Sequence, residues 1–301
     1  MTSKIVDHSL ETDLVPRPVE YSVILPDEKD SENELPLVLN FHGGRGSRER
    51  LKRQKPLWDR LWDSNRIPPM VVAMPSVRRR CFYMDFKDGS EKWETFILGP
   101  FLDHLRETYQ ATADPKRTFL TGASMGGMGS LRMAFRYPER FGAVAALEPG
   151  IEPILSWKEM RPKHRFWRED ELFERAYGQP VDEEYWAENN PASMAIKLGD
   201  RIRESGLQIY LEAGDEDQFW LYEGTEFLHQ ILWNQKIKHE YHLVRGGDHI
   251  GPSLGERNEE ALLFLARTLN PWGPPPQALE PFLKSFKEQA AALNIKDHFN
   301  E

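Results

Sequence analysis

The chain has 301 residues and a formal net charge of −9, long enough for one large α/β domain or two smaller ones. Its acidic balance, with no basic stretch beyond Arg78-Arg79-Arg80, lacks the electrostatic footprint of a nucleic-acid or anionic-membrane binder. A single cysteine, Cys81, excludes an internal disulfide and a thiolate metal cage, and the N-terminal stretch has no apolar run of signal-peptide or membrane-span length, which reads as a cytoplasmic protein.

In chain order, Val19 to Pro26 (VEYSVILP) alternates as a half-buried strand, and the acidic stretch Asp27 to Glu34 after it reads as a surface turn, so a hairpin is expected here. Continuous apolar runs follow at Leu37 to Phe41, Met70 to Met74, Thr118 to Thr121, Ala143 to Leu147, Leu207 to Leu211 and Glu240 to Val244, separated by helical patterns. Short apolar runs alternating with helices are what a parallel sheet covered on both faces requires. The expected fold is therefore a single, doubly wound α/β domain over residues 1–301. Glu91 to Tyr109 reads as a helix whose stripe Trp93, Ile97, Phe101, Leu105 and Tyr109 faces the core, kinked near Gly99 by Pro100. About sixty residues lie between the strands ending at Leu147 and starting at Leu207, more than a simple crossover needs. With Trp157, Phe166, Trp167, Phe173, Tyr177, Tyr185 and Trp186, this segment (about 151–206) reads as a helical cap over the carboxyl edge of the sheet. Trp167 and Trp186 either line a pocket or hold the cap together. Beyond the last core helix, Glu259 to Leu269, an extension (about 271–301) is a candidate packing arm or homo-oligomer contact.

The chemistry centres on Gly122-Ala123-Ser124-Met125-Gly126, a G-x-S-x-G pentapeptide between a strand and a helix. A serine on so sharp a turn is held in a strained backbone with its hydroxyl exposed, and the flanking glycines remove side chains that would strike the neighbouring elements. The helix starting at Met125 aims free amides at the reacting centre. A serine nucleophile in this setting calls for an acid and then a histidine further along the chain. His249, in the glycine-containing loop RGGDHIGPS after the last strand, is the expected base, whereas His239 and His242 lie at or in that strand. Both Asp215 and Asp217 follow the strand Leu207 to Leu211. The turn at Gly214 favours Asp217 as the acid pointing back at the histidine, and leaves Asp215 to brace the turn. The glycine pair in LNFHGGRGS offers the Gly44 amide as a second oxyanion donor beside that of Met125, with His42 bonding within the loop. Trp220 leaves the sheet at the same edge and is expected in the substrate pocket. Cys81 reads as a buried, inert thiol.

These segments, together with FYMDFKDGSEKWETFI, TGASMGGMGSLRMAFRYPERFGAVAAL, EAGDEDQF and GGDH, resemble the esterase D group of α/β-hydrolases. That group includes S-formylglutathione hydrolases, feruloyl and acetylxylan esterases, siderophore esterases and mycolyltransferases. The resemblance implies the α/β-hydrolase fold, Ser124 as nucleophile, His249 as base, an acid within Asp215 to Asp217, and oxyanion amides from Gly44 and Met125, with no metal or organic cofactor. Its glycine-x-x-aspartate-x-phenylalanine pattern also lands on Asp217. By the same analogy Tyr83 lines the pocket, with Asp85 either beside it or solvated. Formylglutathione hydrolases carry a cysteine close behind the first oxyanion loop, and HGGRGSRER has none. The expected function is a serine carboxylesterase acting on a small-molecule ester through an acyl-enzyme, with a thioesterase, an acyltransferase or a non-catalytic binding protein as alternatives.

Overall fold

A computed structural model describes residues 3–26, 34–78, 80–166 and 168–299. Within them lie strands β1 (Ser3–Leu10), β2 (Val19–Pro26), β3 (Leu37–Phe41), β4 (Val71–Pro75), β5 (Thr118–Ala123), β6 (Ala143–Leu147), β7 (Gln208–Gly214) and β8 (Glu240–Val244). They form an eight-stranded sheet in the order β1-β2-β4-β3-β5-β6-β7-β8. The strands from β3 to β8 are parallel, while β2 pairs antiparallel with both β1 and β4. The hairpin is thus β1–β2, formed with the upstream strand. Sequence reading missed β1 because Lys4, Asp7, His8 and Ser9 dilute its alternation on an edge strand that is largely exposed. The expected acidic turn after β2 lies outside the described residues apart from Glu34.

The interior strands are buried along their whole length because helices cover both faces. Successive side chains alternate between faces. Leu37, Leu39 and Phe41 of β3 enter one apolar layer and Val38 enters the other. The second layer is closed by α1 (Glu49–Asp63), through Leu51, Trp58 and Trp62, and on the same face by Leu262 and Leu265 of the helix Ser253–Leu269. The first layer takes α2 (Trp93–Phe96), α3 (Leu102–Tyr109) and α4 (Met125–Arg136). Between α2 and α3 the chain kinks where Gly99 leaves helical geometry ahead of Pro100, as expected, and Trp93, Ile97, Phe101 and Leu105 are buried.

The segment after β6 holds α5 (Pro162–Arg165), α6 (Asp170–Tyr177), α7 (Glu183–Glu188), α8 (Pro191–Lys197) and α9 (Gly199–Ser205). Trp157, with ring centroids 5.1 Å from Phe173 and 6.1 Å from Trp186, ties these short helices together, and all three side chains join the first apolar layer. Trp186, 1% exposed, therefore packs core; Trp167 lies outside the described residues. Helix α8 packs against α4 and against α10 (Leu221–Asn234), so part of the segment covers the sheet face as well as its edge. Past α11 (Ser253–Leu269), α12 (Glu280–Ala292) is exposed, and the chain returns to stack His298 on Trp233 at 4.3 Å. No helix among the described residues is long and apolar enough to cross a membrane.

Candidate active site at the carboxyl edge of the sheet

Ser124 sits between β5 and α4 at φ 59°, ψ −121°, a conformation that costs a non-glycine residue about 1–3 kcal/mol. Backbone bonds to the next strand hold it there: its amide donates to Leu147 O at 2.9 Å, and its carbonyl accepts from Gly150 N at 3.1 Å. The flanking glycines are required by close approach. A Cβ on Gly122 would lie 2.7 Å from Phe41 O, and one on Gly126 would strike that carbonyl outright. Their absence lets the end of β3 press against the turn, where a Cβ added at Gly43 would come into ordinary contact with Ser124. The glycine loop is fixed from within by His42, whose Nδ1 bonds Gly43 O at 2.8 Å; burial drives its pKa down to about 4, so the ring stays neutral. Gly44 has open space where a side chain would be, and Met125, the first residue of α4, has no carbonyl one turn back for its amide.

On the other side, Gly214 and Gly247 touch backbone to backbone, where any side chain on Gly214 would collide with Gly247 O. This contact packs the turn after β7 against the loop after β8. Glu216 N donates to Gly247 O at 2.9 Å, and Gly246 N donates to Asp215 Oδ1 at 2.6 Å. Asp215 thereby braces the histidine loop, and Asp217 is left to face His249. The Nδ1–H of His249 donates to Asp217 Oδ2 at 2.8 Å, Phe219 N donates to Asp217 Oδ1 at 2.6 Å, and the Phe219 ring meets the imidazole edge-on at 4.6 Å. The carboxyl group of Asp217 is fully buried. Ser124 Oγ makes no hydrogen bond among the described residues; such bonds often close only with substrate present.

Sequence reading missed the charges behind the imidazole. Glu148, one residue past β6 and 1% exposed, places Oε2 2.9 Å from His249 Nδ1. Arg257 of α11 pairs with the other Glu148 oxygen and with Glu212 of β7 at 2.6 Å. Burial disfavours the charged imidazole, but the two close carboxylates, Asp217 and Glu148, outweigh it and lift His249 to about 9. Burial lifts Glu212 to about 7 against the pull of Arg257. A signal was present: a glutamate in the middle of the apolar run LQIYLEAG is buried at a cost that a nearby cation or a bound proton must offset. Glu148, Asp217 and His249 also bring three ligand atoms within 4.8 Å of one another. A cation there would compete with Arg257, which already pairs with Glu148.

Two expected pocket residues fare differently. Tyr83 is completely buried, stacked on Phe41 at 4.5 Å, with its hydroxyl donating to His42 O at 2.9 Å and Gly129 making room for its ring. It therefore supports the glycine loop from behind and offers no face to a pocket, because its hydroxyl is needed by a buried carbonyl. Trp220, 46% exposed, lies beside Phe166 and borders a surface hollow with Ile151, His164 and Phe219. Asp85 accepts from Thr95 N at 3.0 Å and caps the start of α2. Burial pushes the Cys81 thiol up to about 12, which leaves it unreactive. His239 is bonded to His229 at 2.8 Å, and His242 stacks on Tyr210.

The Esterase family model matches residues 13–260. The chain belongs to the Esterase family. An esterase of Mycobacterium tuberculosis is 24% identical to this family member over 254 residues, 77% of this chain and 53% of that protein, so the chain spans about half the length of that relative. A ferulic acid esterase structure superposes with a TM-score of 0.73 at 22% identity, covering 88% of this chain and 98% of that one. An S-formylglutathione hydrolase from Agrobacterium tumefaciens does so with a TM-score of 0.71 at 17% identity, covering 89% and 95%. The likeness to these structures establishes the α/β-hydrolase fold for this Esterase family chain.

Proposed function

We propose that this Esterase family chain is a serine carboxylesterase in which Ser124, His249 and Asp217 form a triad and the Gly44 and Met125 amides bind the oxyanion. Ser124 Oγ attacks the ester carbonyl carbon while His249 Nε2 takes its proton. The tetrahedral oxyanion collapses, the C–O bond to the alcohol breaks, and the alcohol leaves with the proton held by His249. Water then attacks the acyl-enzyme with the same histidine as base and regenerates Ser124. Asp217 keeps the imidazole in the tautomer that presents Nε2 to the serine and balances the imidazolium charge. The observation that carries this reading is the buried Asp217–His249 bond at 2.8 Å, at the same edge of the sheet as a serine held at positive φ.

The substrate is a small ester whose acyl or alcohol part lies along the exposed Trp220 ring. The Esterase family match and the relative named esterase support an ester substrate, and the absence of a cysteine from the loop HGGRGSRER counts against formylglutathione. A panel of p-nitrophenyl esters of rising acyl length, with feruloyl, acetyl-sugar and glutathione-thioester substrates beside it, tests the reading. Ester turnover abolished by Ser124→Ala, with the fold intact, is the expected result. Retention of more than about a hundredth of the activity removes Ser124 as nucleophile, since losing a triad nucleophile costs several orders of magnitude.

A further inference from the structure

We infer that Glu148 is a second carboxylate partner of His249, a positioning residue that shares with Asp217 the holding and charging of the imidazole. The inference rests on the triad reading above.

Two carboxylate oxygens converge on one nitrogen: Asp217 Oδ2 at 2.8 Å and Glu148 Oε2 at 2.9 Å from His249 Nδ1. The N–H is aligned with Asp217, and among the described residues neither Glu148 oxygen accepts a hydrogen bond of good geometry. Glu148 therefore stands ready as an acceptor of nearly equal reach. Its aim is built in. The residue sits at φ 44°, its amide donates to Glu212 O at 2.6 Å, and Arg257 pins its other oxygen.

The charges facing His249 come from every neighbouring element. Glu148 follows β6, Asp217 follows β7, Glu212 lies within β7, Arg257 lies on α11, and Arg50 on α1 acts on Glu148 at longer range. In the histidine's own loop, the Asp248 side chain is engaged by Ser253 Oγ at 2.6 Å and its carbonyl by Arg257. Asp217 and Glu148 beside Nδ1, with the one close guanidinium shared between Glu148 and Glu212, leave a surplus of negative charge there, and that surplus stabilises the imidazolium formed in the transition state. It also stabilises the imidazolium of the resting enzyme. The direction of the His249 pKa, up from 6.5 to about 9, agrees. The base must be neutral to take the proton of Ser124, so kcat/KM rises with pH through the His249 pKa, and the acid limb lies well to the alkaline side of an ordinary histidine.

The test uses the full chain and four variants: Glu148→Gln, Asp217→Asn, the double variant and Ser124→Ala. Glu148→Gln is expected to move the acid limb of kcat/KM downward, toward the ordinary histidine range. A nuclear magnetic resonance titration of the His249 imidazole should follow it. Asp217→Asn, with Glu148 left to accept the Nδ1 proton, is expected to lose well under the about ten-thousandfold that follows when a triad's only acid is removed. The double variant should show that full loss. An acid limb and titration in Glu148→Gln that overlay the wild type overturn the inference, even if the variant melts earlier. So does an about ten-thousandfold loss in Asp217→Asn alone that the second change does not deepen. If Glu148→Gln does not fold, the Asp217→Asn loss decides by itself. Undiminished turnover in Ser124→Ala would instead sink the triad, and the imidazole titration would still report on Glu148.

Discussion

The two halves of the site are built by different physics. On the Ser124 side, position comes from missing side chains: Gly122 and Gly126 let the turn close on Phe41, and Gly129 gives the Tyr83 ring its place. On the His249 side a close glycine contact, Gly214 on Gly247, sets the loop, but the imidazole itself is held by charge, with Asp217, Glu148, Arg257 and Glu212 all buried around it. At Gly122 and Gly126 the first half has no room for an added atom. In the second half Arg257 is the close cation that two buried carboxylates share. One end of the site therefore resists overpacking only as far as its backbone can move, while the other is most sensitive to the loss of that cation.

The largest effect should come from breaking the charged half. Arg257→Met removes the cation between Glu148 and Glu212 and leaves both carboxylates buried without it, a change expected to cost about 3–5 kcal/mol in urea unfolding at neutral pH. Next in size is a break in the steric half. Gly126→Ala sets a methyl group against the Phe41 carbonyl, so the turn or the end of β3 must shift. About 1–3 kcal/mol of stability and about a hundredfold in kcat/KM are expected losses, the latter because a displacement near 1 Å misaligns the serine. A thermal melt and a single-substrate assay read both.

That division also explains what the sequence disclosed. Gly122, Ser124 and Gly126 are close together in the chain, and their spacing alone encodes a sharp strand-to-helix turn. Among the described residues six of the eight strands were readable as apolar runs and VEYSVILP as an alternating one; the interior runs are apolar because helices cover both faces of the sheet there. The edge strand β1 was hidden by its polar residues. Asp217 and His249 could be placed from the turns that carry them. Glu148 and Arg257 could not: they come from distant parts of the chain, and only the closing of β6, β7 and α11 around the imidazole makes them neighbours. Tyr83 was misassigned for a related reason. An aromatic on a loop leaving the catalytic edge can face either way, and here the unsatisfied His42 carbonyl drew its hydroxyl inward.

Smaller effects sharpen the comparison. Asp215→Asn weakens the bond that braces the histidine loop to the turn after β7. It should cost about 0.5–1.5 kcal/mol and change turnover far less than any substitution of Asp217. Trp220→Ala should leave stability within about 0.5 kcal/mol, as for an exposed side chain outside the core, yet change the ranking of esters by acyl length. An unchanged ranking removes Trp220 from the substrate path.

The central claim, that Ser124 is the nucleophile which both halves serve, is tested most directly by mapping the adduct of a fluorophosphonate probe by peptide mass spectrometry. The account predicts one phosphonylated residue, Ser124, with labelling lost in Ser124→Ala and greatly slowed in His249→Ala. Stable labelling at another residue, or wild-type protein that hydrolyses esters while Ser124 stays unmodified by the probe that inhibits it, would contradict it.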